Sequence, residues 1–214
     1  MSDFLKVSGL EKRYGTGAPV ISGMNHVFGQ GTATGLVGMN GSGKTTFLRL
    51  MSVTAFPTSG DILFHGQSIY ERPHTFLRHI GMVTDATDLP AYLSASELLE
   101  WTLRARKLWN PETSATEVDR ILDELHFDER RSNLIGTYSS GMLQKAMLAC
   151  SLVTRPALIL LDEPFRALDV QSTEAAIGLL TDYKSAGGTL LVSSHIKDTL
   201  EPLCDGYVTF PVRG

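Results

Sequence analysis

Three short stretches carry residues whose types and spacing can do chemistry. The first, GMNGSGKTT at 38–46, satisfies G-x-x-x-x-G-K-[ST]. Gly38, Gly41 and Gly43 let backbone N–H groups curl around phosphate oxygens without a Cβ in the way. Lys44 has the reach for the outer phosphates, and the Thr45 hydroxyl is a hard ligand for Mg²⁺. The second stretch, ALILLDEP, ends an apolar run on Asp162 and Glu163. The first carboxylate suits the metal side of a phosphate site, the second the polarisation of an attacking water. The third, LLVSSH, ends on His195, whose neutral imidazole can donate or accept towards the outermost phosphate or that water. Alone, the acidic pair reads as a helix cap and the histidine as a structural strand end. Beside a phosphate loop, they indicate hydrolysis of a nucleotide rather than its storage.

Such residues need rigid elements to hold them. Four brief apolar runs, 32–38, 79–84, 157–163 and 188–195, read as strands buried on both faces. Helical patterns follow from Lys44, Ser94, Met142 and Ser172. This alternation predicts an α/β fold with a largely parallel sheet. FLKVSGL, MNHVF and DILFHGQ near the start predict a small antiparallel β layer, and DGYVTFPV a final strand. From about Ala86 to Arg155 the pattern is helical, as expected of an inserted α-helical subdomain. Within it, Tyr92, Trp101 and Trp109 accompany Leu98, Leu99 and Leu103. Most of that stripe is expected in the core, with some aromatic surface left for a partner.

The 214 residues fit a single domain, 1–214, able to bury a core. A net charge of −4 argues against a broad nucleic-acid-binding face, so no nucleic-acid partner is expected. Cys150 and Cys204 form no C-x-x-C, which suits a reduced, cytoplasmic setting. The longest apolar stretch is far short of the ~20 residues that a spanning helix needs, and the first fifteen are too polar for a signal peptide. Any membrane role is therefore expected to run through a partner.

The order KRYG, GMNGSGKTT, YSSGM, LILLDEP, RALD and SSH resembles that of the ATP-binding subunits of ABC transporters, over essentially the whole chain. The resemblance implies a P-loop NTPase fold with a RecA-like sheet. It implies ATP bound by Tyr14, stacked on adenine, and by Gly38, Asn40, Gly41, Ser42, Gly43, Lys44, Thr45 and Thr46. Mg²⁺ would be held by Thr45, Asp85 and Asp162, with Glu163 and His195 catalytic. It further implies a head-to-tail dimer with a second ATP-binding subunit, identical or different. In that dimer Ser139, Ser140 and Gly141 face the partner's ATP, and Asp169 contacts the opposite subunit. The other implied partner is an integral membrane permease, which would hold the chain at the inner face of the cell membrane.

The motifs depart from the family pattern at three places. YSSGM replaces the usual L-S-G-G-Q, a form similar to that in drug, peptide-antibiotic and sodium exporters, so export is expected. Lys145 stands where Arg is commoner. Asp85 takes the place of a Gln that binds Mg²⁺ and senses the permease. A carboxylate is still a hard oxygen ligand, but it adds charge and loses the amide's donor. Two alternatives stay open: a soluble ABC ATPase acting on a macromolecule, and a small-molecule kinase. The first lacks a coiled-coil insertion, second cassette or basic tail, and the second leaves YSSGM, RALD and His195 without roles.

Overall fold

The computed structural model describes residues 3–84 and 89–212. Its strands are β1 (Leu5–Lys12), β2 (Ile21–Phe28), β3 (Ala33–Val37), β4 (Ser59–Phe64), β5 (Gln67–Ser68), β6 (Ile80–Val83), β7 (Leu158–Asp162), β8 (Thr189–Ser194) and β9 (Gly206–Thr209). The helices are α1 (Lys44–Met51), α2 (Pro73–Leu77), α3 (Ala95–Ala105), α4 (Ser114–Glu124), α5 (Ser140–Val153) and α6 (Val170–Ser185).

A five-stranded parallel sheet in the order β6-β7-β8-β3-β9 is the frame of the molecule. The central stretches of its middle strands, 158–161 and 190–192, are apolar because both faces are covered. Ile159 and Leu161 of β7 and Leu190 and Val192 of β8 join a core shared with α3, α4, α5 and α6. Leu158, Leu160 and Leu191 point into a second core with Phe28, Phe47, Ile62 and Phe210, beneath the antiparallel sheet β2-β1-β4-β5. Each such side chain, fully buried, contributes about 1.5–3 kcal/mol, so the sheet is pinned from both sides. The predicted α/β fold with its small antiparallel layer is the one observed.

Between β6 and β7 lie α3, α4, α5 and 3₁₀ turns at Asp128–Ser132 and Ile135–Thr137. The helix expected from Ser94 is α3, held by a capping box in which Ser94 Oγ accepts from Glu97 N–H and the Glu97 carboxylate accepts from Ser94 N–H at 2.8 Å. Leu98, Leu99 and Leu103 are buried, whereas Tyr92 and Trp101 are 77% and 62% exposed. Trp109 is half-buried with the Arg104 guanidinium 4.4 Å from its ring centre. Two helices begin earlier than their apolar patterns: α5 at Ser140 rather than Met142, and α6 at Val170 rather than Ser172. In both, a polar cap (Ser139, Asp169) receives the N–H of the residue where the apolar pattern begins, so the first turn lies ahead of that pattern. The short α2 had no periodicity to announce it. Both cysteines are free and half-buried, and burial pushes their thiols up to about 12. No helix among the described residues is long and apolar enough to cross a membrane.

Candidate functional site

Because β3, β6, β7 and β8 are parallel and mutually in register, their carboxyl ends share one edge of the sheet. In open α/β sheets that edge is where ligands bind. The phosphate loop, Thr84, the Asp162–Glu163 pair and His195 all leave from it. A cavity of about 820 Å³, ample for a nucleotide, opens there. Asn40, Gly41, Ser42, Gly43, Lys44, Thr45 and Thr46 line it with Asp162, Glu163, Arg166 and Ala167, and Ser140, Leu143 and Gln144 add the first turns of α5.

The loop at 38–43 is shaped for an anion. Gly43, with φ 108, caps α1 without any side-chain acceptor, and a Cβ there would lie 3.0 Å from Val20. The first-turn N–H groups of α1 therefore have no side-chain cap. The Ser42 hydroxyl is buried with no partner among the described residues. Lys44 is 5% exposed, and its ammonium donates to the carbonyls of Gly38 at 2.6 Å and Met39 at 3.2 Å. An orphaned hydroxyl, a buried ammonium and an uncapped helix start fit bound phosphate groups. The Thr45 hydroxyl and Asp162 carboxylate in the same cavity are a hard-oxygen pair suited to Mg²⁺.

Glu163 has φ 47, an uncommon backbone conformation for a residue with a side chain. From there its two carboxylate oxygens lie 3.0 and 3.1 Å from Nδ1 of His195. A carboxylate that carries no proton only accepts, so Nδ1 is the protonated nitrogen in that state. His195 opens on a smaller neighbouring cleft with Phe165, and Glu163 borders both that cleft and the main cavity. The histidine thus meets the carboxylate rather than the cavity that would hold phosphate.

The Ser-Ser-Gly loop divides its residues between two tasks. Ser139 caps α5, its Oγ accepting from Met142 N–H at 3.3 Å, whereas Ser140 lines the cavity. Gly141 packs so closely that a Cβ would sit 2.8 Å from the Ala167 carbonyl oxygen. Tyr138 is buried, its hydroxyl donating to Arg130 O at 3.0 Å and accepting from Ala95 N–H at 3.3 Å. Lys145 is also buried and donates to His126 O at 2.9 Å; burial lowers its pKa. That single bond uses no guanidinium fork, which accounts for Lys in a place where Arg is commoner. Asp169 caps α6, and the Ser172 N–H it accepts at 2.7 Å holds its carboxyl below the usual range.

Tyr14 stands apart from the cavity lining: it is 51% exposed in the turn after β1, with the Lys12 ammonium 4.8 Å from its ring centre. Asp85 lies outside the described residues. Three residues join the site without having been singled out from sequence. Arg166 sits inside the quoted RALD and Ser193 inside SSH, so their motifs were in view. Gln144, whose buried Nε2 has no partner among the described residues, gave no signal because a Gln in a helical pattern is ordinary.

Known proteins resemble this chain over most of its length. The chain is 32% identical over 206 residues to the bacitracin transport ATP-binding protein BcrA of Bacillus licheniformis, covering 96% of this chain and 66% of that one. It is 31% identical over 213 residues to the lipoprotein-releasing system ATP-binding protein LolD of Psychrobacter arcticus, covering 96% and 94%. A solved structure described as the ATP-binding subunit of an ABC transporter superposes with a TM-score of 0.88 at 28% identity, covering 97% and 85%. A family model described as "ABC transporter" matches residues 21–166, from β2 through the phosphate loop, α5 and the acidic end of β7. The chain therefore belongs to the ABC transporter family, as an ATP-hydrolysing, ATP-binding subunit.

Proposed function

We propose that this subunit, a single ATP-binding domain over 1–214 with helices inserted at about 86–155, works as one half of a dimer. In that dimer two Mg-ATP are enclosed and a separate membrane permease is driven, in the direction of export. The observation that carries the reading is the Glu163–His195 contact of 3.0 Å at the rim of the phosphate cavity. Lys44 and the α1 N-terminus bind the phosphates, and Asn40, Thr46 and Arg166 border them. Thr45 and Asp162 would hold Mg²⁺, which when bound neutralises charge on the phosphate oxygens. Glu163 takes the proton of the water that attacks the γ-phosphorus as the bond to the β-phosphate breaks, and His195 holds the carboxylate in place for it.

Ser140 and Gly141 at the start of α5 face the partner's ATP, and Asp169 approaches the partner's loop. Binding of ATP then shifts an open pair to a closed one. Export is favoured by the YSSGM form of the loop and by the likeness, at 29% identity, to a Nod factor export ATP-binding protein of Ralstonia nicotianae. The exposed Tyr92 and Trp101 supply aromatic surface of the kind that interfaces favour, suited to the permease. The test is Glu163→Gln with ATP and Mg²⁺, followed by light scattering on a sizing column. A dimer is expected, reverting to monomer when the nucleotide is removed. A variant that binds ATP yet stays monomeric at every concentration overturns the enclosed-dimer reading.

A further inference from the structure

The parallel register of β7 and β8 sets Asp162 directly opposite Ser193. Ser193 is wholly buried in a strand whose neighbours, Leu190, Leu191 and Val192, are apolar. A hydroxyl in such a place is unfavourable unless its bonds are made. Both are made, and both go to the two acidic residues of the site. The hydroxyl donates to Oδ1 of Asp162 at 2.5 Å and accepts from Glu163 N–H at 3.0 Å. The direction of each bond is forced, because an amide N–H only donates and the single hydroxyl proton is then left for the carboxylate. The N–H so held belongs to the residue with φ 47, and two positions further on the same chain segment presents His195 to the Glu163 carboxylate. Ala or Val would suit the burial equally well but would leave the Glu163 N–H unpaired and the Asp162 carboxylate free to rotate.

We propose that Ser193 is a positioning residue for ATP hydrolysis. Its one buried hydroxyl fixes the Asp162 carboxylate and the Glu163 backbone together, so the metal-side and water-side acids keep a set relation. This rests on the roles assigned to Asp162 and Glu163 above. Ser194 serves as a comparison: it is equally part of β8 and nearly buried, yet its hydroxyl bonds to Thr199 and Ile196 N–H and touches neither acid.

The experiment compares Ser193→Ala, Ser193→Thr and Ser194→Ala by ATP turnover, by Mg²⁺ titration, and by affinity for a fluorescent ATP analogue with EDTA or with Mg²⁺. Ser193→Ala is expected to lower kcat about 10–100-fold, the usual effect of removing a partner that orients a ligand. The Mg²⁺ requirement should rise several-fold while affinity in EDTA stays unchanged. Ser193→Thr, which keeps the hydroxyl, should restore most of the loss, and Ser194→Ala should lose much less turnover than Ser193→Ala and leave the Mg²⁺ requirement unmoved, because its hydroxyl bonds to neither acid. Where Ser193→Ala does not fold, Ser193→Cys, with its weak donor, carries the same expectation. The proposal is overturned if Ser193→Ala, or Cys in its place, retains both turnover and Mg²⁺ dependence, or if Ser194→Ala reproduces the loss. Failure of the underlying site reading would show separately, as full turnover in Glu163→Gln.

Discussion

Two loops in this molecule lead a chain of small residues into a helix N-terminus, and they finish their hydrogen bonds differently. The phosphate loop ends on Gly43, which offers α1 no side-chain cap, and keeps the Ser42 hydroxyl buried without a partner among the described residues. Its lysine is folded back onto two carbonyls of its own loop. The Ser-Ser-Gly loop satisfies itself: Ser139 caps α5, Tyr138 bridges Arg130 and Ala95, and Gly141 is pressed against Ala167. Folding leaves the first loop open and closes the second. An anion completes the phosphate loop, whereas the other loop is finished structure that presents a few outward groups, Ser140 foremost. In sequence both are Gly- and Ser-rich turns before helices, and it is the fold that shows which of them closes on itself.

Removing the charge from the open loop should have the largest effect. Lys44→Ala is expected to weaken ATP binding by about 100-fold, the scale of losing charge-assisted hydrogen bonds worth about 1.5–3 kcal/mol each. Thermal stability should fall far less than binding, since the two bonds of the ammonium go only to carbonyls of its own loop. Titration with a fluorescent nucleotide and a melting curve read both quantities. Unchanged affinity would remove the distinction between the loops.

The closed loop should answer in the opposite sense. Gly141→Ala forces a Cβ to within 2.8 Å of the Ala167 oxygen, so either α5 or the segment at 166–168 must shift. Overpacking of this kind costs about 1–3 kcal/mol, visible as a lowered urea midpoint. The displaced segment lies just past Glu163, so turnover should fall as well, while ATP binding by the single subunit stays within a few-fold. Full stability in this variant would mean that the loop is not closed by packing.

What could be read from sequence follows the same division. The sheet was legible because strands covered on both faces are apolar through their middles, as at 158–161 and 190–192. The phosphate loop and acidic pair were legible because their chemistry dictates residue type and spacing together. Features set by tertiary pairing were not. Ser193 has a role only through its register with Asp162, and the backbone of Glu163 is left-handed in the setting of that contact. Tyr138, read as a motif substitution, is a buried hydrogen-bonding hub between Arg130 and α3. The strand position of His195 points to the outermost phosphate or the attacking water, but its contact with Glu163 beside a second cleft depends on the fold.

The smallest expected effects decide how the two serines of the closed loop divide their work. Ser139 spends its oxygen on Met142 N–H, so Ser139→Ala should lose about 1 kcal/mol, the usual value of an N-cap. Ser140 lies at the first position of α5 and borders the cavity, so Ser140→Ala should change stability by less than about 0.5 kcal/mol. If the Ser140 hydroxyl serves nucleotide, turnover should order the pair the other way: Ser140→Ala loses more, and the loss should deepen as protein is diluted if that nucleotide belongs to a partner. Calorimetric melting and ATPase assays across protein concentration measure both. Equal stability loss from the two variants would put capping and binding on the same residue, and the closed loop would then need its ligand to finish folding just as the open one does.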